Sequence, residues 1–220
     1  DPDGTRVLLM LSGRLYVFGR ESGAVRELAV PPGTVVDPKW SPDGKHVSYV
    51  RDYDVYAYDL AADKERAVTA GGTATVTHGL AEFVAQEEMD RFTGYWWSPD
   101  SKFIAYAEAD HTGVEVWRVT DPANPAAAGG EQFYPRPGKR NVSVSLGIKP
   151  VGGGNTTWVG WDRERYEYLT AVDWDAAALT VQVQDRKQHE LLLLKVDPAT
   201  GKLTELLKQT DPAWVNLPPQ

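Results

Sequence analysis

Two adjacent carboxylates, Glu87 and Glu88, are the residues of this sequence best suited to bind a ligand. Neighbouring negative charges repel each other, and a cation shared between them removes that cost. At about 4 Å and an effective dielectric constant of about 20, one contact between a carboxylate and an ammonium group is worth on the order of 4 kcal/mol before desolvation. The pair is therefore a candidate site for a free amine, although a pair of acidic residues on a helix is more commonly a solvated surface.

The sequence contains no pattern that indicates a catalytic centre. The Gly-x-Ser-x-Gly turn of an α/β-hydrolase is absent, and none of the eight serines has a strand-to-helix turn and a paired base. Without cysteine there is no thiol nucleophile, no disulfide and no cysteine-ligated metal. We therefore expect no catalytic residue, no metal site and no cofactor.

The histidines and the glycine-rich segment also have simple interpretations. The histidines lie far apart without the spacing of metal ligands, which predicts surface or packing roles for all four: His46, His78, His111 and His189. The glycines at 152–154 lack the Lys and Ser/Thr of a phosphate-binding loop, so a flexible connection is expected there.

A repeated hairpin organises the chain that must position these residues. Ser-Pro-Asp-Gly at 41–44 is echoed by Ser-Pro-Asp-Ser at 98–101 and by Asp-Pro-Asp-Gly at 1–4, each followed by a β-branched or alternating run. Proline presets φ at the second turn position, aspartate bonds back to the backbone, and glycine accepts a positive φ. Each copy therefore reverses the chain between two strands.

The copies at 1–4 and 41–44 lie about 40 residues apart, which is the period of a four-stranded propeller blade. At this period the chain holds about four to five blades. The predicted fold is all-β, with antiparallel meanders forming a partial propeller over 1–220. Good helix formers near 80–91 predict one short helical insertion.

Composition limits the function classes. The 42% of hydrophobic and 25% of charged residues are typical of a globular domain. The apolar runs are shorter than the roughly 18 residues of a membrane span. The net charge of −8 disfavours nucleic acid and favours a cationic ligand.

The aromatic residues are expected mainly in the core. Strand positions predict packing roles for Tyr49, Tyr106 and Trp117. For Tyr95 and Trp96, which lie beside the helix, the sequence does not decide between a packing role and a binding role.

The segment 79–100 resembles the double-glutamate segment of the dipeptidyl peptidase IV family, a branch of the prolyl oligopeptidase family. In both, a Glu-Glu-Met-like sequence, here 87–89, is followed by Trp-Trp-Ser-Pro, here 96–99. The resemblance covers most of the chain, and its further matches are Phe103 to Ala107, Tyr134-Pro135, Gly138, Asn141-Val142, Val172 to Trp174, Gln182 and Arg186.

This resemblance implies that Glu87 and Glu88 bind the free α-amine of a peptide and so limit cleavage to its second peptide bond. It implies release of N-terminal dipeptides with Pro or Ala second, by an α/β-hydrolase domain outside this chain. The family's substrate-binding arginine matches no position here, and Trp214-Val215 resembles the start of a loop that borders the substrate. A periplasmic or secreted location is implied, and a homodimer of the full-length protein is compatible with the resemblance.

A second hypothesis is a propeller scaffold that binds protein partners without chemistry, since similar Ser-Pro-Asp-Gly repeats occur in such proteins. Those propellers lack the helical Glu-Glu insertion, which favours the peptidase hypothesis. The opening turn at Asp1 to Gly4, without an initiator methionine, suggests a piece of a longer protein. Open blade edges are then expected to be able to pair with another chain.

Overall fold

The computed structural model describes residues 1–217, which form eighteen strands and one short helix. The strands pair in antiparallel order and build four successive sheets, which we call blades 1 to 4, and one separate hairpin. The prediction of an all-β chain of propeller blades with one helical insertion is confirmed. None of the described residues belongs to a helix long and apolar enough to cross a membrane.

Blades 1 and 2 are simple meanders. Blade 1 consists of β1 (Arg6–Leu11), β2 (Arg14–Gly19) and β3 (Val25–Glu27). Blade 2 consists of β4 (Val35–Trp40), β5 (His46–Arg51), β6 (Asp54–Asp59) and β7 (Lys64–Ala67).

Blade 3 carries the insertions. Its elements in chain order are β8 (Val76–His78), α1 (Phe83–Met89), β9 (Tyr95–Trp97), β10 (Phe103–Asp110), β11 (Val116–Val119), β12 (Gly130–Phe133), β13 (Ser143–Pro150) and β14 (Thr157–Trp158). Both β8 and β9 pair with β10, so α1 interrupts what is otherwise one strand position of the blade. Strands β11 and β12 pair only with each other and form a hairpin outside the blade.

Blade 4 is a four-stranded meander again. It consists of β15 (Tyr168–Trp174), β16 (Leu179–Gln184), β17 (Glu190–Val196) and β18 (Leu203–Thr210). The glycines at 152–154 lie in the loop between β13 and β14.

The repeated hairpins form as their residues predict. In each copy the aspartate accepts a hydrogen bond from the backbone N–H two residues further on, at 3.0 to 3.1 Å. The residue after the aspartate has a positive φ in all three, including Ser101 with φ 59°. Serine replaces glycine there, and its hydroxyl accepts a hydrogen bond from Asp43 N–H at 3.0 Å. Two copies of the repeat therefore contact each other between blades 2 and 3.

Apolar side chains are buried mainly between neighbouring blades, where their removal from water drives the packing. The largest cluster joins blades 3 and 4, a second joins blades 2 and 3, and a third joins blades 1 and 2. Tyr49, Tyr95 and Tyr106 are buried in these cores. The packing role expected for Trp117 is wrong: it lies on the β11–β12 hairpin, which leaves the blade, and is 46% exposed.

Candidate functional site

The short helix α1 is fixed at both ends by its own sequence. Glu82 precedes it, and the carboxylate accepts hydrogen bonds from Val84 N–H at 2.7 Å and Ala85 N–H at 3.0 Å. These bonds satisfy two of the N–H groups that a helix start leaves free. The helix ends at Asp90, which has a left-handed backbone and whose N–H donates to the carbonyl of Ala85.

The chain segments that lead into and out of the helical insertion lie against each other at a pair of glycines. Leu80 and Thr93 form an isolated β-bridge, and Gly79 and Gly94 lie back to back beside it. A side chain at Gly94 would place its Cβ 2.5 Å from the carbonyl carbon of Gly79 and 2.4 Å from that of Leu80. Only glycine allows this close approach of two backbone segments. The insertion therefore leaves blade 3 through one narrow, defined base.

Glu87 and Glu88 lie on the exposed side of α1. Within residues 1–217 neither carboxylate has a hydrogen bond or an ion pair with another side chain, so both negative charges are available to a ligand. Consecutive helix positions differ by about 100° around the axis, and the two side chains accordingly border different depressions. Glu88 lines a cleft of about 740 Å³, and Glu87 lines a smaller one of about 290 Å³ on the other side of the helix.

The larger cleft lies between α1, the segment after β12, and blade 4. Its charged lining consists of Glu88, Asp90, Arg136 and Arg186, and its neutral polar lining includes Tyr134, Asn141, Tyr168 and Gln184. Several of these belong to the family matches quoted from the sequence, which gave them no role. The fold brings together residues as far apart in the sequence as Glu88 and Arg186, which no local pattern could show.

The end of the described chain completes one side of the same cleft. Val215 is buried, its N–H donates to the carbonyl of Gln188 at 2.6 Å, and its carbonyl accepts from the Gln184 amide at 2.8 Å. Asn216 and Leu217, to which the sequence assigned nothing, also line the cleft. Val215 therefore forms part of a wall of this cleft, whereas Trp214 is exposed; that this segment borders the substrate stays a prediction.

The cations of the cleft are already paired with other groups. Arg136 binds Glu115 through two hydrogen bonds of 2.6 and 2.9 Å, and this contact lowers the pKa of Glu115. Arg186 lies 3.5 Å from Glu167 and also donates to the carbonyl of Lys139. Because these charges have their own partners, they do not neutralise Glu88.

A second polar cluster was missed by the sequence interpretation. His78, assigned there to a surface or packing role, is buried between two carboxylates: Nδ1 lies 2.6 Å from Asp54 and Nε2 lies 3.1 Å from Glu108. Asp54 also accepts from the Thr69 hydroxyl at 2.7 Å and from Gly72 N–H at 2.9 Å. Burial alone raises the pKa of Asp54, but these hydrogen bonds outweigh it and lower that pKa. The cluster joins blade 2 to blade 3.

The other three histidines lie apart from this cluster. His189 is exposed, His111 packs its ring against Phe133 with centroids 4.7 Å apart, and His46 lies beside Trp97. Among residues 1–217, no group of three or more histidine, aspartate or glutamate side chains is arranged to hold a metal ion.

Comparison with known proteins establishes the family. The family model of the dipeptidyl peptidase IV (DPP IV) N-terminal region matches residues 1–220. The chain belongs to this family. A probable dipeptidyl-aminopeptidase B from Podospora anserina is 30% identical over 201 residues, which cover 81% of this chain and 22% of that protein. Dipeptidyl peptidase 8 of Mus musculus is 28% identical over 137 residues, covering 54% of this chain and 15% of that protein.

Solved structures of bacterial DPP IV-type proteins share the fold. Porphyromonas gingivalis dipeptidyl peptidase 4 superposes with a TM-score of 0.83 and 24% identity, over 96% of this chain and 31% of the other. A putative dipeptidyl aminopeptidase IV from Bacteroides ovatus gives 0.77 and 20% identity, over 97% and 29%. The chain spans about a fifth of the length of the dipeptidyl-aminopeptidase B proteins that it matches.

Proposed function

We propose that this chain is the substrate-recognition part of a serine dipeptidyl peptidase. In this proposal the blades gate access to the active site, and Glu87 and Glu88 bind the free N-terminal amine of a peptide. A hydrolase domain of the same protein, outside this chain, then releases N-terminal dipeptides with Pro or Ala second. The observation that carries the proposal is the pair of exposed carboxylates on α1, which have no partner among the described residues. Glu88 borders the larger cleft and Glu87 the smaller one beside it.

The electrostatics of the cleft support an ammonium ligand. A carboxylate without a partner binds an ammonium group through charge-assisted hydrogen bonds, which are about twice as strong as neutral ones. Arg136 and Arg186, the nearby cations, are already bound to Glu115 and Glu167. The negative charge of Glu88 is therefore free to attract a cation, in agreement with the net charge of −8.

A fixed amine site also explains selection of one peptide bond. An amine held at a set distance from a serine lets only a two-residue segment bring its carbonyl to that nucleophile. Selection by distance requires a rigid amine site, and the fixed ends of α1 and the glycine pair at its base support such rigidity. Peptides with a blocked N-terminus lose this anchor.

The proposal extends to partners and location. The chain's partners are peptides with a free N-terminus and the α/β-hydrolase domain of the same protein, in the periplasm or outside the cell. A homodimer of the full-length protein stays a prediction, and the β11–β12 hairpin offers it the exposed apolar side chains of Val116, Trp117 and Val119. No nucleic acid partner is proposed.

Hydrolysis of matched peptides by the full-length protein tests this function. We expect release of the N-terminal dipeptide from a peptide with a free amine and proline second, and a rate at least about 100-fold lower for the same peptide N-acetylated, because the amine contacts are lost. Products are identified by mass spectrometry. Equal cleavage of both peptides would contradict the amine-binding role. If neither peptide is cleaved, a propeller scaffold that binds protein partners becomes the better hypothesis.

A further inference from the structure

A buried arginine beneath α1 connects the insertion to the neighbouring blade. Arg91 is 3% exposed; its Nε donates to the carbonyl of Leu169 at 3.1 Å and its Nη1 to the carbonyl of Thr93 at 3.0 Å. Leu169 belongs to β15 of blade 4, against which α1 packs. A side chain from the insertion of blade 3 therefore holds the backbone of blade 4.

The same guanidinium also reaches the start of the helix. Its Nη2 lies 3.8 Å from the carboxylate of Glu82, which itself caps α1 through Val84 and Ala85. Both partners are buried: burial raises the pKa of Glu82 and lowers that of Arg91, and each charge opposes the shift of the other. One side chain thus contacts the beginning of the insertion, its end, and the next blade.

The helix depends on such contacts for its position. Helices shorter than about 12 residues are marginal in water on their own, and α1 has 7 residues. A buried ion pair is a poor source of stability, since apolar residues of similar volume often stabilise as well or better. Nη2 of Arg91 has no hydrogen bond among the described residues, which adds to the cost. What this arrangement provides is a defined geometry.

That geometry relates the two walls of the cleft. Glu88 lies on one wall, on α1, and Tyr168, Gln184 and Arg186 of blade 4 lie on the other. Leu169, the residue that Arg91 binds, follows Tyr168 directly. The contact between Arg91 and Leu169 therefore sets how far Glu88 lies from the blade 4 wall.

We propose that Arg91, held by Glu82, is a positioning residue that fixes Glu87 and Glu88 relative to blade 4. This inference rests on the proposed amine-binding function of the pair. A displacement of about 1 Å in a positioned group can cost about 100-fold in rate. The contacts of Arg91 therefore determine how accurately the substrate amine is placed for cleavage after the second residue. Arg91 itself does not touch the substrate.

The test uses the full-length protein and the double substitution Glu82→Gln with Arg91→Met, which removes both charges and leaves neither buried alone. We expect kcat/KM for glycyl-prolyl p-nitroanilide to fall about 10- to 100-fold. The preference for the free-amine over the N-acetylated substrate should fall with it, and amide hydrogen exchange over residues 83–90 should accelerate. Arg91→Lys, which keeps the charge but cannot span the three partners, should change all three in the same direction and covers the case that the double variant does not fold.

The matched control is Arg51→Met with Glu65→Gln. Arg51 is buried and Glu65 is partly buried; the two are joined by hydrogen bonds of 2.6 and 2.8 Å and lie within blade 2. This control should leave substrate preference and exchange over 83–90 unchanged. If the Arg91 variants keep the wild-type preference and exchange while Glu87→Gln with Glu88→Gln abolishes the preference, only the positioning role is wrong. If that glutamate variant keeps the preference, the amine-binding function fails and the inference with it.

Discussion

Replacing Glu87 and Glu88 together by glutamine is expected to lower kcat/KM for glycyl-prolyl p-nitroanilide by about 10²- to 10⁴-fold in the full-length protein. Each lost hydrogen bond to a charged group is worth about 1.5 to 3 kcal/mol, and about 1.4 kcal/mol corresponds to a factor of ten. Glutamine keeps the size and helix propensity of glutamate, so α1 should persist. Steady-state hydrolysis, followed by absorbance, measures the change.

The control for this variant must reproduce its change in net charge. Glu21→Gln with Glu27→Gln removes two exposed carboxylates from blade 1 and should leave kcat/KM within about threefold, since screened surface charges act weakly at a distance. The N-acetylated substrate should respond to neither pair of substitutions. A glutamate pair variant with wild-type kcat/KM would show that the amine is bound elsewhere.

The substitution His78→Ala is expected to destabilise the junction of blades 2 and 3 by about 1.5 to 3 kcal/mol, because hydrogen bonds between the imidazole and two carboxylates are lost. It leaves Asp54 and Glu108 facing each other without the imidazole between them, and the Asp54 side chain is only 11% exposed. Removing the imidazole takes away one hydrogen-bond partner of this buried carboxylate, which costs free energy. The midpoint of urea unfolding, followed by tryptophan fluorescence, should fall at constant m-value.

Two further variants show whether the cluster causes this loss. His189→Ala changes an exposed histidine and should shift the free energy of unfolding by less than about 0.5 kcal/mol. Adding Asp54→Asn to His78→Ala should cost less than the sum of the two single substitutions, because it removes one of the carboxylates that is left uncompensated. A loss for His78→Ala no larger than for His189→Ala would mean that the cluster does not hold the blades together.

Local chemistry explains which parts of the fold were predictable. The hairpins at Asp3, Asp43 and Asp100 depend on contacts within a few residues, so their sequence was sufficient. The helix was predicted near 80–91 because good helix formers lie next to each other in the sequence; it spans Phe83–Met89. The exposure of Glu87 and Glu88 follows from the same short helix.

Contacts between distant residues explain what was missed. Trp117 has the same strand pattern whether its strand joins a blade or leaves it as a hairpin, so its exposure depended on the partner strand. His78 meets partners 24 and 30 residues away. Arg91 appears in the sequence only as a cation after a helix, while its partner Leu169 is 78 residues further on. No spacing rule connects such residues before the blades are assembled.

A crystal structure of the full-length protein with a bound tripeptide that has proline second tests the amine-binding role most directly. The measurement is the distance from the N-terminal nitrogen of the peptide to the carboxylate oxygens on α1. We predict that this nitrogen lies within about 3.2 Å of an oxygen of both Glu87 and Glu88. A peptide whose amine is held by other groups, with both carboxylates facing solvent, would contradict the account.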